Sequence, residues 1–408
     1  MSSRARAVVF FISTPLVVLV LVGGLVGATR APQQGVSHLK VFEDVAGLIF
    51  AAYVEPADPD KVMDGAMRGL AEGLDPASAY LTPDEVKVAD AKTPLPAGDI
   101  GVIVTRQFYL RILGVRDGSP AQRAGLATGD FIRAIGETPT RDMSAYTGAH
   151  LLRGAPGSKV SLLVIRGNTA DPRPFEIVRE ISKDDRATGK KLPDGNAYVR
   201  VSSFGSGAAE AIRSSITALG AATTSGVIVD LRGIADGTAE DAIAAARLFV
   251  KGGGTLAIRA GRGPTDRTVT TATDADGKLS MPIVLIVSDG TANAAEIFAS
   301  ALSRNKRATL VGEPTAGLAA LQRLVRLPEG GLWMTYARYL QADGTPILEK
   351  GLRPDVSVDI AVNDFDEPPV TTDAALARAV EALTPKPAPT ADGPIAPATD
   401  PTAPTIKK

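Results

Sequence analysis

The sequence predicts a layered α/β (α+β) core, with a smaller, mostly β module inserted ahead of it and a helical unit on its N-terminal side. Three observations predict this. From Ala197 onward, continuous apolar runs alternate with amphipathic helical stretches, the pattern of a sheet covered by helices. Between residues 98 and 181, short β-rich segments alternate with Gly/Pro turns. Before them, apolar residues recur at helical spacing.

The first segment, residues 1–30, reads as a membrane anchor. Arg4 and Arg6 precede an apolar run from Ala7 to Ala28 that contains no acidic residue. About 20 apolar residues suffice to cross a bilayer, and the leading positive charge keeps the N-terminus in the cytoplasm. The bulk of the chain is then expected outside a bacterial inner membrane. The alternative is a signal peptide cleaved near Gly27-Ala28. Residues 31–36 read as a linker. Over 36–97, Leu39, Phe42, Val45, Leu48, Ile49 and Ala52 form one helical stripe. Val62, Met63, Ala66, Met67 and Leu70 form a second, ended by Asp75-Pro76. Two packed helices are expected.

The inserted module, 98–181, carries expected strands at 101–105, 110–115, 131–135, 160–165 and 175–179, with one helix over 144–152. The core, 182–365, carries expected strands at 197–201, 226–231, 282–287 and 308–311 and helices at 208–219, 239–250 and 294–303. The run at 282–287 is apolar throughout and the run at 226–231 is apolar up to Asp230, as in parallel strands buried on both faces. The tail, 384–408, is rich in Pro, Ala and Thr without apolar periodicity and is expected to be disordered.

Composition narrows the chemistry. A net charge of -1 and the lack of a long basic block argue against nucleic-acid binding. There is no cysteine, so no disulfide, thiolate nucleophile or Cys-ligated metal exists. His38 and His150 are the only histidines, which excludes a His-rich metal site. No metal or other cofactor is expected.

Motifs then point to a family. SPAQRAGLATGDFI (119–132) and LLRGAPGSKVSLLVIR (151–166) resemble the PDZ signature of bacterial proteases. LDPASAYLTPDE (74–85), Asp230-Leu231-Arg232, DGTANAAEIFASALSRNKRATLVGEPTAG (289–317), Gln322 and TYARYLQADGTPILEKGLRPDVSVD (335–359) resemble successive segments of the carboxyl-terminal processing peptidases, the tail-specific family with a Ser–Lys dyad. The resemblance runs from about residue 37 to about residue 362 and implies a peptidase-like core with an inserted PDZ domain.

It also implies where the chemistry should sit. The family's Ala-Ser-Ala-Ser-Glu aligns with Ala292-Asn293-Ala294-Ala295-Glu296, so the nucleophile position holds Asn293. The base, in a Gly-Lys-Gly turn, aligns with Gly317-Leu318-Ala319, so the base position holds Leu318. Glu296 and Gln322 match supporting positions. After Asp-Leu-Arg the family carries Asn-Asn-Pro-Gly-Gly; this chain has Gly233-Ile234-Ala235-Asp236-Gly237. The oxyanion candidates are the N–H groups of Gly237 and Ala294, with a carboxylate at Asp236 opposing a developing anion. An asparagine carboxamide is not an acyl nucleophile and leucine accepts no proton; loss of a catalytic serine alone costs about 10⁶ in kcat. Asn293-x-x-Glu296 instead has the form of a helix capping box.

By the same resemblance, Ile100, Gly101, Val102 and Ile103 form the loop and strand to which a peptide adds, its terminal carboxylate captured by backbone N–H groups. The implied function is a non-catalytic homologue that binds peptide or protein C-termini as a scaffold or regulator. The implied partners are a second copy, through the N-terminal helices, or an active peptidase of the same kind. The alternative is an active serine-type endopeptidase with a non-standard catalytic set drawn from Ser288, Thr291, Ser300, Ser303, Lys306 or Lys350.

Overall fold

The computed structural model describes residues 33–90, 95–141, 143–167, 171–182, 186–220, 226–360, 364–365, 367 and 372–383. The apolar run 7–28 and the tail 384–408 lie outside these residues. No helix among the described residues is long and apolar enough to cross a membrane. The chain divides into a unit ending at Leu70 and a unit beginning at Ala71.

The first unit is helical. Helix Gln33–Ala52 starts inside the segment expected to be linker; Pro32 directly precedes it in sequence, a placement that suits a helix start. Its apolar stripe is not core: Leu39, Val45 and Leu48 are 69%, 51% and 66% exposed. Spacing predicts such a stripe but cannot supply the surface that would cover it. Helix Pro59–Glu72 follows.

In the second unit the core is built on a six-stranded sheet in the order Ala187–Lys191, Ala197–Val201, Val227–Asp230, Ile283–Val287, Thr309–Gly312, Val356–Ser357. The first pair is antiparallel and the rest are parallel. Val227–Asp230 and Ile283–Val287 are buried at every position, because both faces are covered. Val227, Val229, Leu285 and Val287 face helices Ala208–Ala218, Ala239–Ala246 and Ala294–Arg304, where Phe204, Phe249 and Phe298 pack ring to ring. Ile228, Val284 and Ile286 face helix Ala374–Leu383, which buries Ala375 and Ala379. The core therefore extends past residue 365.

A second, antiparallel sheet joins Ala79–Leu81, Gly331–Leu340, Thr255–Ala260 and Arg267–Thr271, with Ala320–Arg326 forming a hairpin on Gly331–Leu340. The inserted module is a six-stranded sheet in the order Val102–Gln107, Tyr109–Val115, Phe131–Ile135, Lys159–Ile165, Arg173–Val178, with Thr138–Pro139 off Phe131–Ile135. Helix Ala145–Leu152 is capped by Ser144, whose hydroxyl accepts the Thr147 N–H. The module's core holds Ile100, Leu110, Ile112, Ile132, Leu162 and Val164.

Candidate active site

Parallel sheets place their sites beyond the carboxyl ends of the strands, and the candidate residues gather there. Strand Val227–Asp230 ends in Asp230, which is fully buried and accepts bonds from Tyr198 (2.7 Å), Arg200 (3.3 Å) and Arg232 (2.6 Å). Burial pushes its carboxyl up, but the two guanidiniums and the phenol outweigh it and hold it below the usual range. This anchors the loop Leu231–Gly237. The neighbouring strand runs into Ser288–Asn293 and then helix Ala294–Arg304. The Ala292 N–H donates to the Ile234 carbonyl at 2.8 Å, joining the two loops.

Asn293 sits at the turn into that helix with φ 49° and ψ −115°. This left-handed backbone is uncommon for a residue with a Cβ. Its N–H donates to the Glu296 carboxylate at 3.1 Å, one arm of the expected box, and its carboxamide Nδ2 donates to the Ala235 carbonyl at 3.1 Å. The Asn293 side chain thus ties the helix start to the loop Leu231–Gly237. Gly237 and Ala294 flank that tie, Gly237 at φ 115° against the Phe204 backbone. Beside Gly237, Asp236 is paired at 3.3 Å with Arg116 of the inserted module.

Glu296 is fully buried and accepts four bonds: Thr315 Oγ1 (2.5 Å), the Gly317 N–H (2.7 Å), the Leu318 N–H (2.9 Å) and the Asn293 N–H. Burial pushes its carboxyl up to about 7 against those bonds. Glu296 therefore clamps the turn holding Leu318 onto the start of the helix. Thr315 Oγ1 also accepts the Leu352 N–H at 2.8 Å, so the hydroxyl beside the Glu296 carboxylate is itself part of the clamp. Gln322, on Ala320–Arg326, donates to Thr335 Oγ1 at 3.2 Å, across the hairpin.

Leu318 does not project into an open hollow. It is buried with Leu113, Ala235 and Ala292, and Ile103 and Ala316 pack against this cluster. Leu113 and Ile103 belong to the inserted module, which lies on the site. The approach is backbone to backbone: a Cβ at Gly114 would overlap the Gly233 carbonyl oxygen, and one at Gly290 the Leu113 carbonyl oxygen. Arg111 is paired with Asp289, and Asp117 with Arg200 at 2.8 Å. A cleft of about 490 Å³ opens nearby, with a lining that includes Gln122, Thr128, Arg232, Gly233, Ser288 and Glu313. Neither Asn293 nor Leu318 lines it.

The four residues of the expected peptide site separate. Ile100 is in the module's core, Val102 packs on that core, and Ile103 turns to the Leu318 cluster. The Gly101 N–H donates to Asp99 Oδ1 at 2.5 Å.

The remaining hydroxyls hold turns. Ser288 Oγ accepts the N–H groups of Gly233 and Gly290, and Thr291 Oγ1 donates to the Leu231 carbonyl. Ser300 is buried in the helix, and Ser303 contacts its carbonyl. Among the described residues, none of these hydroxyls is hydrogen-bonded to a lysine or histidine side chain. Lys306 follows the helix at φ 54°, and Lys350 is exposed. His150 Nδ1 lies 2.8 Å from the Tyr146 carbonyl, and His38 is an exposed residue of the first unit. Sequence reasoning missed Leu113, Gly114, Gly290, Thr315 and Asp99; the glycines at 114, 233 and 290 were the available signal.

A parallel sheet whose strand ends carry an elbow into a helix, with a PDZ module laid across them, defines a peptidase scaffold of the processing type. Residues 195–358 match peptidase family S41 and residues 111–166 match the PDZ domain. The chain is 30% identical over 314 residues to a carboxyl-terminal-processing protease of Picosynechococcus sp., covering 73% of this chain and 74% of that one. It is 30% identical to the carboxy-terminal processing protease CtpA of Bacillus subtilis over 76% of this chain and 66% of the relative. With a carboxy-terminal-processing protease of Bartonella bacilliformis the figures are 28%, 87% and 83%. The solved photosystem II D1 C-terminal processing protease superimposes with a TM-score of 0.64 at 26% identity, over 76% of this chain and 85% of that one. The chain belongs to the carboxyl-terminal processing protease family.

Proposed function

We propose that this chain is a catalytically silent member of its family, tethered to the membrane by residues 7–28 with its bulk outside the cytoplasm. In this reading it holds extended polypeptide segments on its PDZ domain as a scaffold or regulator, where the family pattern alone would suggest carboxyl-terminal ends. One observation carries the reading: a carboxamide bonded to Ala235 and a leucine packed in an apolar cluster stand where a hydroxyl and an amine would have to meet. The partner is a client polypeptide, with a second copy or an active homologue as the assembly it regulates. The test is degradation of an unfolded protein substrate by the natural chain and by Asn293→Ser/Leu318→Lys. The natural chain should leave the substrate intact. Cleavage by the natural chain that one substitution abolishes would sink the proposal. Alkaline extraction of membranes tests the anchor: the full chain should stay in the pellet and a chain lacking residues 1–30 should not.

A second reading rests on Thr315 and Glu296, a hydroxyl 2.5 Å from a carboxyl raised to about 7, as a hydroxyl–base pair. Both are buried and bonded to the main chain, which favours a clamp. A Thr315-linked adduct with a hydroxyl-reactive probe would reverse that preference.

A further inference from the structure

We infer that the PDZ groove of this chain does not select a free terminal carboxylate: Asp99 already occupies the carboxylate-capturing loop, so the groove takes an extended stretch from within a polypeptide. The inference rests on the proposed peptide-holding role and deepens it.

The strand that would pair with a ligand, Val102–Gln107, bonds only to Tyr109–Val115 on one side, which leaves its other edge without a strand partner among the described residues. An added strand uses that edge for main-chain hydrogen bonds. A terminal carboxylate would require something more, free N–H groups and positive charge where the strand begins. Both are engaged. The Gly101 N–H is bonded to Asp99 Oδ1 at 2.5 Å. Gly101 is at φ 84°, with the Ser119 side chain filling the space of a Cβ, so the loop is held by its own packing.

The charges tell the same way. Asp99 Oδ2 lies 3.3 Å from Arg153, just past helix Ala145–Leu152, and 3.8 Å from Arg116. A third cation, Arg123, lines the pocket beside the loop and is paired with Glu180 at 2.5 Å. Arg116 is shared further with Asp236 at 3.3 Å and Ser182 at 2.5 Å. Asp99 itself is buried, 8% exposed, so solvent screens it little. An arriving carboxylate would meet a fixed carboxylate already holding the donor and both guanidiniums, and like charges at such range repel. A chain that continues past this point brings no such charge.

The test uses the full-length chain in detergent and a fluorescein-labelled peptide ending in an apolar residue. The peptide is made with a free carboxylate, with a carboxamide, and with a polar extension. The three should bind the natural chain within about threefold of one another, and Asp99→Ala should prefer the free carboxylate by about tenfold or more. Asp99→Asn keeps an acceptor for the Gly101 N–H without the charge, and should show the preference in weaker form if the alanine variant does not fold. A natural chain that prefers the free carboxylate by about tenfold overturns the inference, as does a folded Asp99→Ala chain with no gained preference. Failure of all three peptides to bind any of the chains overturns the peptide-holding role itself, and this inference with it.

Discussion

Leu318→Lys supplies the lysine that the family resemblance implies at this position, and its cost can be worked from the packing. Leu318 is 9% exposed among Leu113, Ala235 and Ala292. The carboxylate at its own backbone, Glu296, already accepts four donors. A lysine stem fills much of the leucine space, but its ammonium would be desolvated without a counter-charge. Burial lowers a lysine pKa by up to about 3–5 units from about 10.4. A drop of about 3 units corresponds to about 4 kcal/mol at pH 7, since each unit is about 1.36 kcal/mol. The unfolded chain then binds more protons than the folded one between about pH 7 and about pH 10.4, so the variant gains stability as pH rises through that window. Trp333, the only tryptophan, has its ring 5.2 Å from that of Tyr146 on the PDZ helix, so its fluorescence follows both domains. Urea unfolding read by Trp333 at about pH 7 and about pH 9.5 should show a deficit against Leu318→Met that shrinks by about 3 kcal/mol at the higher pH. Leu318→Met itself should lose less than about 1.5 kcal/mol. A lysine variant as stable as the methionine one at both pH values would refute the reasoning, because it would mean that the cluster over the dyad position is open to water.

Three other outcomes are expected. Gly114→Ala places a Cβ on the Gly233 carbonyl oxygen and should lose at least about 1–3 kcal/mol by overpacking, with a change in Trp333 emission as the module shifts. Glu296, pushed by burial from the ordinary 4.5 to about 7, holds its proton more tightly in the folded chain; its contribution is present below about pH 4.5 and falls by about 3 kcal/mol as pH rises through 7. Stability profiles should show this slope in the natural chain and not in Glu296→Gln. Asp130 is fully buried against Arg166, with bonds of 2.6 and 2.8 Å, so Arg166→Met should cost about 3–5 kcal/mol in thermal or urea unfolding by leaving the carboxylate without that partner.

Legibility in the sequence followed burial. Ile283–Val287 and Val227–Asp230 could be read because both faces are covered and every position but the terminal Asp230 is apolar. Arg267–Thr271 and Ala320–Arg326 could not, since nearly all their residues are exposed or half-buried and polar side chains interrupt the alternation. Helix Ala374–Leu383 was missed beyond the region of family resemblance. At the site, Asn293, Leu318 and Glu296 were found from motif alignment. That Ile103 and Leu113 would cover Leu318 depends on how two domains meet, and no local pattern records such a contact. Asp99 was equally silent, because an acidic residue before a glycine reads as an ordinary turn.

The backbone at Asn293 bends through its left-handed turn although the side chain there performs no displacement chemistry in the proposed reading. The bend is imposed by its surroundings, by Ala292 bonded to Ile234 and by Glu296 gripping the turn at 315–318. Position 293 is thus a socket whose shape is set by its surroundings rather than by its occupant. Architecture and reactivity at this place are separable properties, and a lineage can give up the second while continuing to inherit the first.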